Sequence, residues 1–194
     1  GPVHMKLIDG DLRYMTGGQK GIVRRVFFSR RDTRWDTVAS EFKNIEVERK
    51  ANSFRVSLSA VMRRDSADFN WQAEITGTPD GTITYRVRGL ANSDFRFNRF
   101  GICVLYGAES LADQKFELID AAGKVTPGEF PRLIRPKIWP AKFQTVKYTT
   151  DTGLEVSTTL SQAAFGMEDQ RNWADSSFKA FSGMNYPYPT IAKG

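Results

Sequence analysis

The sequence is poor in the residues that build most metal centres and nucleophilic active sites. Its 194 residues include one histidine, His4, and one cysteine, Cys103. His4 lies in Gly1-Pro2-Val3-His4-Met5, which reads as the scar of a cleaved tag, so residues 1–5 are interpreted as vector-derived. Without another histidine, a Ser-His-Asp triad, a Cys-His pair and a histidine-ligated zinc site are excluded within this chain. No spaced acidic loop suggests calcium, and we expect no metal and no cofactor.

A lone cysteine also excludes an internal disulfide. Cys103 lies in the apolar run Gly101–Leu105, which predicts a buried packing residue. Long apolar runs are missing too, since no stretch approaches the roughly 18 residues of a membrane helix. No charged segment followed by an apolar stretch opens the chain, so we expect a cytoplasmic protein without a membrane partner.

Blocks of like charge are absent, although the formal net charge is +6. Lysine and arginine occur in pairs such as Arg30-Arg31, interleaved with acids, and no run of five like charges appears. This distribution argues against nucleic acid as a partner. An anionic small substrate, or solubility alone, explains the positive excess equally well.

The pattern that the sequence does contain is a period of two, which predicts β-strands. Apolar and polar residues alternate over Phe69–Thr76, and the alternation returns over Ile83–Arg88 after the turn signal Thr78–Gly81. The same pattern predicts three more hairpins, over 45–62, 116–125 and 143–158. Many strands joined by turns predict an all-β fold, an antiparallel β-sandwich of the jelly-roll or supersandwich type.

Helical and proline-rich stretches are few. Short helices are predicted only over Asp36–Phe42 and Asp175–Phe181. Four prolines between Pro127 and Pro140 predict a long stiff loop, because proline does not fit the middle of a sheet. We predict one sandwich domain over residues 6–185, followed by a proline-rich tail or linker over residues 186–194.

The densest polar cluster lies at Glu168–Trp173. On a strand its residues would form two faces, with Glu168, Gln170 and Asn172 on one and Asp169, Arg171 and Trp173 on the other. Carboxylates and amides beside an indole ring can bind sugar hydroxyls and cover an apolar sugar face. The same residues could instead form a structural cluster, with an acid paired to Arg171 and Trp173 in the core. The residues alone leave both interpretations open.

This motif carries a family resemblance. Met167–Trp173, continued by Asp175–Lys179, resembles the EMEDQRNWTDASFKTY signature of the D-apionate lactonase family, bacterial proteins of branched-sugar-acid catabolism. Three further blocks are similar in the same order: Phe27–Val38 to VRDRNWGTV, Asn98–Leu105 to NRIGFCVLHP, and Phe130–Pro136 to FPxLIxPHQPF. The chain departs from the family at its histidines, which have become Tyr106-Gly107 and Pro136-Lys137-Ile138-Trp139.

The resemblance and the polar motif imply an enzymatic hypothesis. Glu168 and Asp169 would act as general acid or base on a sugar-derived lactone or related carbohydrate. Cationic side chains would stabilise charge on the carbonyl oxygen, and polar neighbours would bind the substrate. The expected substrate-binding residues are Arg171, Asn172, Gln170, Trp173, Lys179 and Arg99.

A second hypothesis is a non-catalytic β-sandwich that binds carbohydrate or completes the active site of a partner catalytic subunit. The resemblance implies that family members are longer, with this region ahead of a barrel domain, and the missing barrel and histidines favour this alternative. The expected partners are a small carbohydrate or sugar-acid ligand and that catalytic subunit or domain.

Three further residues are predicted to bind substrate. Arg31 and Asp32 lie in a cluster that ends at Trp35, and an Arg-Asp pair there could equally cap a loop as a buried ion pair. Trp139 lies in the proline-rich loop, and loops often carry binding residues.

Overall fold

The computed structural model of the chain describes residues 2–136, 139–173, 176–182 and 189–194. Strands dominate the described residues, which contain one short helix, α1 (Ala108–Leu111). The strands are β1 (Val3–Ile8), β2 (Asp11–Gly17), β3 (Lys20–Arg31), β4 (Ser40–Arg49), β5 (Phe54–Arg64), β6 (Ala67–Gly77), β7 (Ile83–Ala91), β8 (Phe95–Arg96), β9 (Arg99–Gly107), β10 (Lys115–Ile119), β11 (Val125–Glu129), β12 (Trp139–Phe143), β13 (Thr145–Thr149), β14 (Glu155–Thr159), β15 (Phe165–Asp169), β16 (Ser177–Phe181) and β17 (Thr190–Ile191).

The chain divides into two compact units. The first contains Phe28–Gly101 with short pieces from both ends of the chain, and the second contains His4–Phe27 and Ile102–Gly183. The border falls within β3 and β9. The single domain over residues 6–185 with a tail over residues 186–194 stays a prediction.

In the second unit, two sheets face each other across aromatic side chains. The strand orders are β1-β2-β3-β9-β16-β15-β12 and β11-β10-β13-β14. Tyr106 on β9 lies edge-on to Tyr148 on β13 at 6.0 Å, and Phe130 packs on Phe178 of β16 at 4.8 Å. The Tyr148 hydroxyl donates a hydrogen bond to the Ile22 carbonyl of β3. Because the registered pairings are antiparallel, the predicted all-β antiparallel sandwich is confirmed.

The first unit is built on the sheet β4-β5-β6-β7 and the ribbon β17-β8. Alternate residues of β5 and β6 are buried, including the cross-strand pair Ala60 and Trp71. Phe100 packs edge-on against Phe69 at 4.8 Å and against Phe28 at 5.0 Å. Burial of side chains of this size contributes roughly 1.5–3 kcal/mol each, so this aromatic cluster contributes substantially to the stability of the unit.

The four predicted hairpins are confirmed as β4–β5, β6–β7, β10–β11 and β13–β14. Three of their turns place a glycine at positive φ: Gly81 at 90°, Gly123 at 80° and Gly153 at 81°. Glycine tolerates this left-handed conformation, which is why these turn signals were readable in the sequence. Cys103 is fully buried, as predicted.

Both predicted helices are wrong. Within Asp36–Phe42, Thr37 forms an isolated antiparallel bridge with Arg31 and the chain enters β4 at Ser40. In the second stretch Asp175 lies outside the described residues and Ser177–Phe181 is β16. All five residues of β16 are buried between β9 and β15, so the strand has no polar face to produce an alternating pattern. The helix α1 was not predicted.

The proline-rich loop is shorter than predicted. Pro127 lies in β11 and Pro140 in β12, and both strands lie at the edge of their sheets. Edge strands tolerate proline because one side of the strand needs no hydrogen-bond donor. The described part of the chain contains no helix long and apolar enough to cross a membrane.

Candidate functional site

The polar motif Glu168–Trp173 contains a buried ion pair at the end of β15. Asp169 is 1% exposed, and both of its oxygens accept hydrogen bonds from Arg171: Nε to Oδ1 at 2.9 Å and Nη2 to Oδ2 at 2.7 Å. The backbone N–H of Arg171 also donates to Oδ1 at 3.2 Å, and that of Arg135 donates to Oδ2 at 2.9 Å. Each oxygen of this carboxylate therefore accepts two hydrogen bonds from other groups of the same chain.

This environment keeps Asp169 ionised. Burial alone would raise the pKa of Asp169, but the hydrogen bonds from Arg171 and from the Arg135 backbone outweigh it and hold the pKa below its usual range. A carboxylate with a lowered pKa carries no proton to donate at neutral pH, and it is a weak base. The geometry favours a structural role for Asp169 over the predicted role as general acid or base, which stays a prediction.

Arg171 extends this ion pair to the proline-rich segment. Its guanidinium donates to three consecutive backbone carbonyls, those of Pro131 at 2.7 Å, Arg132 at 2.8 Å and Leu133 at 3.0 Å. Its carbon lies 4.8 Å from the ring centre of Phe178. We call Asp169, Arg171 and the segment Pro131–Arg135 the clamp, because the ion pair fixes the course of a segment that has no regular structure.

The remaining motif residues are placed differently. Glu168 is half-buried and its Oε2 accepts a hydrogen bond from Gln170 Nε2 at 2.6 Å. Asn172 is exposed, and Trp173 is 65% exposed. The backbone N–H of Trp173 donates a hydrogen bond to the Gln170 carbonyl, which closes a turn after β15. The strand ends at Asp169, so the two-faced comb predicted for the whole motif extends only to that residue.

Lys179 and Trp139 complete the predicted residues of the second unit. Lys179 is 3% exposed on β16, in register with Glu168 on β15, and its ammonium lies 6.0 Å from the Phe27 ring. The backbone of Trp139 pairs with Met167, whereas its side chain lies outside the described residues.

The other predicted residues lie in the first unit. Asp32 Oδ1 accepts hydrogen bonds from the N–H groups of Arg34 at 2.8 Å and Asp36 at 3.0 Å, which closes a turn around Trp35. The carboxylate also lies 3.3 Å from Arg64 Nε. Arg99 is 3% exposed, with its guanidinium carbon 5.7 Å from the Trp35 ring centre. For Asp32, the loop-capping alternative describes the observed contacts.

Arg31 and Asp32 border a cleft of about 640 Å³ in this unit, within the range of small-molecule sites. Four more arginines line the same cleft, and only the first of them belongs to the cluster singled out in the sequence: Arg30, Arg34, Arg64 and Arg96. The pairs Arg30-Arg31 and Arg63-Arg64 were visible in the sequence. Their convergence was not, because it depends on how β3, β5 and β8 meet in space.

The described residues contain no group of three or more side chains of the kind that bind metal ions. The predicted site residues within this part of the chain carry carboxylates, guanidinium groups, amides and the Lys179 ammonium. Such groups can bind and orient a hydroxylated or anionic ligand through hydrogen bonds.

Comparison with known proteins agrees with the resemblance found in the sequence. The family model described as D-apionate lactonase, N-terminal domain, matches residues 1–193. The D-apionate lactonase of Brucella anthropi is 27% identical over an alignment of 190 residues, and the alignment covers 93% of this chain and 31% of that protein. The chain thus spans about a third of this relative. It belongs to the family of D-apionate lactonase N-terminal domains.

Proposed function

We propose that this chain is the non-catalytic β-rich part of a sugar-acid lactonase, and that it works with catalytic groups supplied by a further domain or subunit. The supporting observation is the clamp. The carboxylate at the centre of the family-like motif is buried, ionised and bonded on both oxygens to its own chain. A general acid or base must instead exchange a proton with the substrate.

The clamp holds a segment that presents apolar side chains to solvent. Leu133, whose carbonyl accepts a hydrogen bond from Arg171, is 82% exposed, and the next residue, Ile134, is 53% exposed. Trp173, two residues beyond Arg171, is 65% exposed. Large apolar side chains exposed on a rigid segment are typical of protein contacts rather than of solvated loops.

The expected occupant of this surface is the domain that follows the matched region in longer relatives. The matched region makes up 31% of the Brucella anthropi protein, so most of that protein lies outside it. Between Pro131 and Pro136 the charged residues are Arg132 and Arg135, with no acid. A complementary surface would therefore be apolar with an acidic rim.

The first test is activity of the chain alone. With the lactone of D-apionate as substrate, the isolated chain should give the buffer rate of hydrolysis, because the groups that activate water are assigned here to the further domain or subunit. Turnover above the buffer rate that scales with protein concentration would overturn the proposal.

The second test is association. The isolated chain is mixed with the part of the Brucella anthropi lactonase that follows its matched region, and binding and lactone hydrolysis are both measured. Leu133→Asp and Trp173→Ala should weaken binding at least about tenfold, because hot spots of interfaces are exposed apolar and aromatic anchors. Val125→Asp, at a residue 49% exposed on edge strand β11, is the matched control and should bind like the unmodified chain.

A catalytic role for Glu168 is the second candidate. The bond that Glu168 accepts comes from the neutral Gln170 amide, so its carboxylate is less committed than that of Asp169. If the isolated chain does hydrolyse the lactone, Glu168→Gln decides the matter. Full turnover in this variant would remove Glu168 from the chemistry, and a loss of about 100-fold or more would establish it.

A further inference from the structure

The arginine-lined cleft of the first unit has a positive excess that its own acids do not neutralise. Five of its lining residues are arginines and two are aspartates, Asp32 and Asp65. Arg34 lies 3.3 Å from Asp65, and Arg64 lies 3.3 Å from Asp32 and 2.6 Å from Asp36. These ion pairs account for the acids of the cleft and for two of its cations.

Two cations of the cleft have no carboxylate partner among the described residues. Arg31 donates one bond, from Nη1 to the Trp35 carbonyl at 3.0 Å, which leaves the rest of its guanidinium fork available. The backbone of Arg96 pairs with Thr190 of β17, and its side chain forms no hydrogen bond or ion pair with the described part of the chain. Arg31 and Arg96 come from adjacent backbone segments, since the Asn98 N–H donates to the Arg31 carbonyl at 3.0 Å.

The cleft is also lined by apolar residues. They are Phe95, Phe97 and Phe100, with the ring centres of Phe95 and Phe97 at 5.6 and 5.5 Å from that of Phe100, and Val38 and Met62. Hydroxyl groups are present on Thr33 and Ser66. A ligand that fits this lining carries one negative group for the arginines, C–H surface for the rings and hydroxyls for the polar edge.

We propose that this cleft binds a small hydroxylated carboxylic acid, with its carboxylate held by Arg31 and Arg96. A guanidinium fork binds a carboxylate with two parallel hydrogen bonds, which gives both affinity and orientation. The site prefers the ionised open-chain acid to its neutral lactone, because a lactone carries no charge to pair with the arginines. This inference does not depend on the docking role of the clamp, which lies in the other unit.

The test is calorimetric titration of the whole chain with sodium D-gluconate and with sodium D-apionate. Neutral D-glucitol, which has the hydroxyls without the carboxylate, and inorganic phosphate, which has charge without the carbon chain, are the comparison probes. At least one sugar acid should bind at least about tenfold more tightly than glucitol and phosphate. If neither acid binds, or if glucitol or phosphate binds equally well, the proposal is wrong.

Variants locate the site. Arg31→Gln and Arg96→Gln should each weaken binding of the acid about tenfold or more, and Arg31→Lys should restore only part of the loss because lysine lacks the fork. Arg49→Gln, at an exposed residue of β4 outside the cleft, should bind like the unmodified chain. Thermal unfolding confirms that each variant is folded. Equal losses in all variants, or none in the Arg31 and Arg96 variants, would place binding elsewhere.

Discussion

The clamp and the arginine-lined cleft both combine arginines with aspartates, but they use the charges differently. In the clamp, Arg171 is 14% exposed, Asp169 is inaccessible, and each faces several partners in its own chain. In the cleft, Arg31 and Arg96 border open volume without a carboxylate partner among the described residues. A charge that is fully paired fixes structure, whereas a charge that the fold leaves unpaired in a concave site is available to a ligand.

The largest difference between the two regions should appear in stability. Arg171→Met removes the partner of a buried carboxylate and three bonds to the proline-rich segment, and it should lower the free energy of unfolding by about 3–5 kcal/mol. Urea denaturation measures this loss. Arg132→Met is the matched control, because Arg132 is 82% exposed and lies 3.5 Å from an exposed Asp113, an arrangement that contributes about 1 kcal/mol or less. Similar losses in the two variants would contradict the clamp.

Local patterns were sufficient to predict most of the fold. The β5 and β6 strands alternate because one face packs on the aromatic core and the other meets solvent, and Gly81, Gly123 and Gly153 mark turns that need positive φ. Prediction failed at β16, where both faces are buried and the period of two disappears. The strand there is fixed by its pairing with β15 and with β9, and β9 is distant in sequence.

The candidate site was predictable as residue types but not as contacts. One interpretation of the motif Glu168–Trp173 was an acid paired to Arg171 with Trp173 in the core. The acid is Asp169, whereas Trp173 is 65% exposed and not in the core. Nothing local indicates that Arg171 reaches the carbonyls of residues 131–133, because that contact spans about forty residues of chain. Arg96 was missed because the residues next to it in the sequence, Phe95 and Phe97, are uncharged and do not mark it as part of a cluster.

Acid should weaken the clamp specifically. Because the folded-state pKa of Asp169 is lowered, its contribution is fully present above its unfolded value of about 4 and is lost as the pH falls through the folded value. The stability difference between the unmodified chain and Asp169→Asn should therefore shrink on going from pH 6 to pH 3. Asp113→Asn, which removes an exposed carboxylate, is the control for the loss of one charge. A difference that grows in acid would contradict the lowered pKa.

Within the cleft, the paired arginines should matter moderately for stability. Arg64 is one-third exposed, contacts Asp32 and Asp36, and donates to the Thr37 carbonyl at 3.3 Å. Arg64→Met should lower the free energy of unfolding by about 1 kcal/mol, the upper range for a partly exposed pair. Arg55→Met, which breaks the more exposed pair with Glu74, should cost less. Urea denaturation of both variants measures the order.

The smallest effect on stability is expected at Arg96, and it separates binding from folding most clearly. Since the side chain of Arg96 makes no hydrogen bond or ion pair with the described residues, Arg96→Gln should change the free energy of unfolding by no more than about 0.5 kcal/mol. The same substitution removes one cation from a cleft with excess positive charge and so reduces charge repulsion. The small change in the free energy of unfolding can therefore be an increase or a decrease. Urea denaturation without ligand tests this. A loss of about 2 kcal/mol or more would mean that Arg96 supports the fold, and the contrast between the two regions would then fail at the residue on which it most depends.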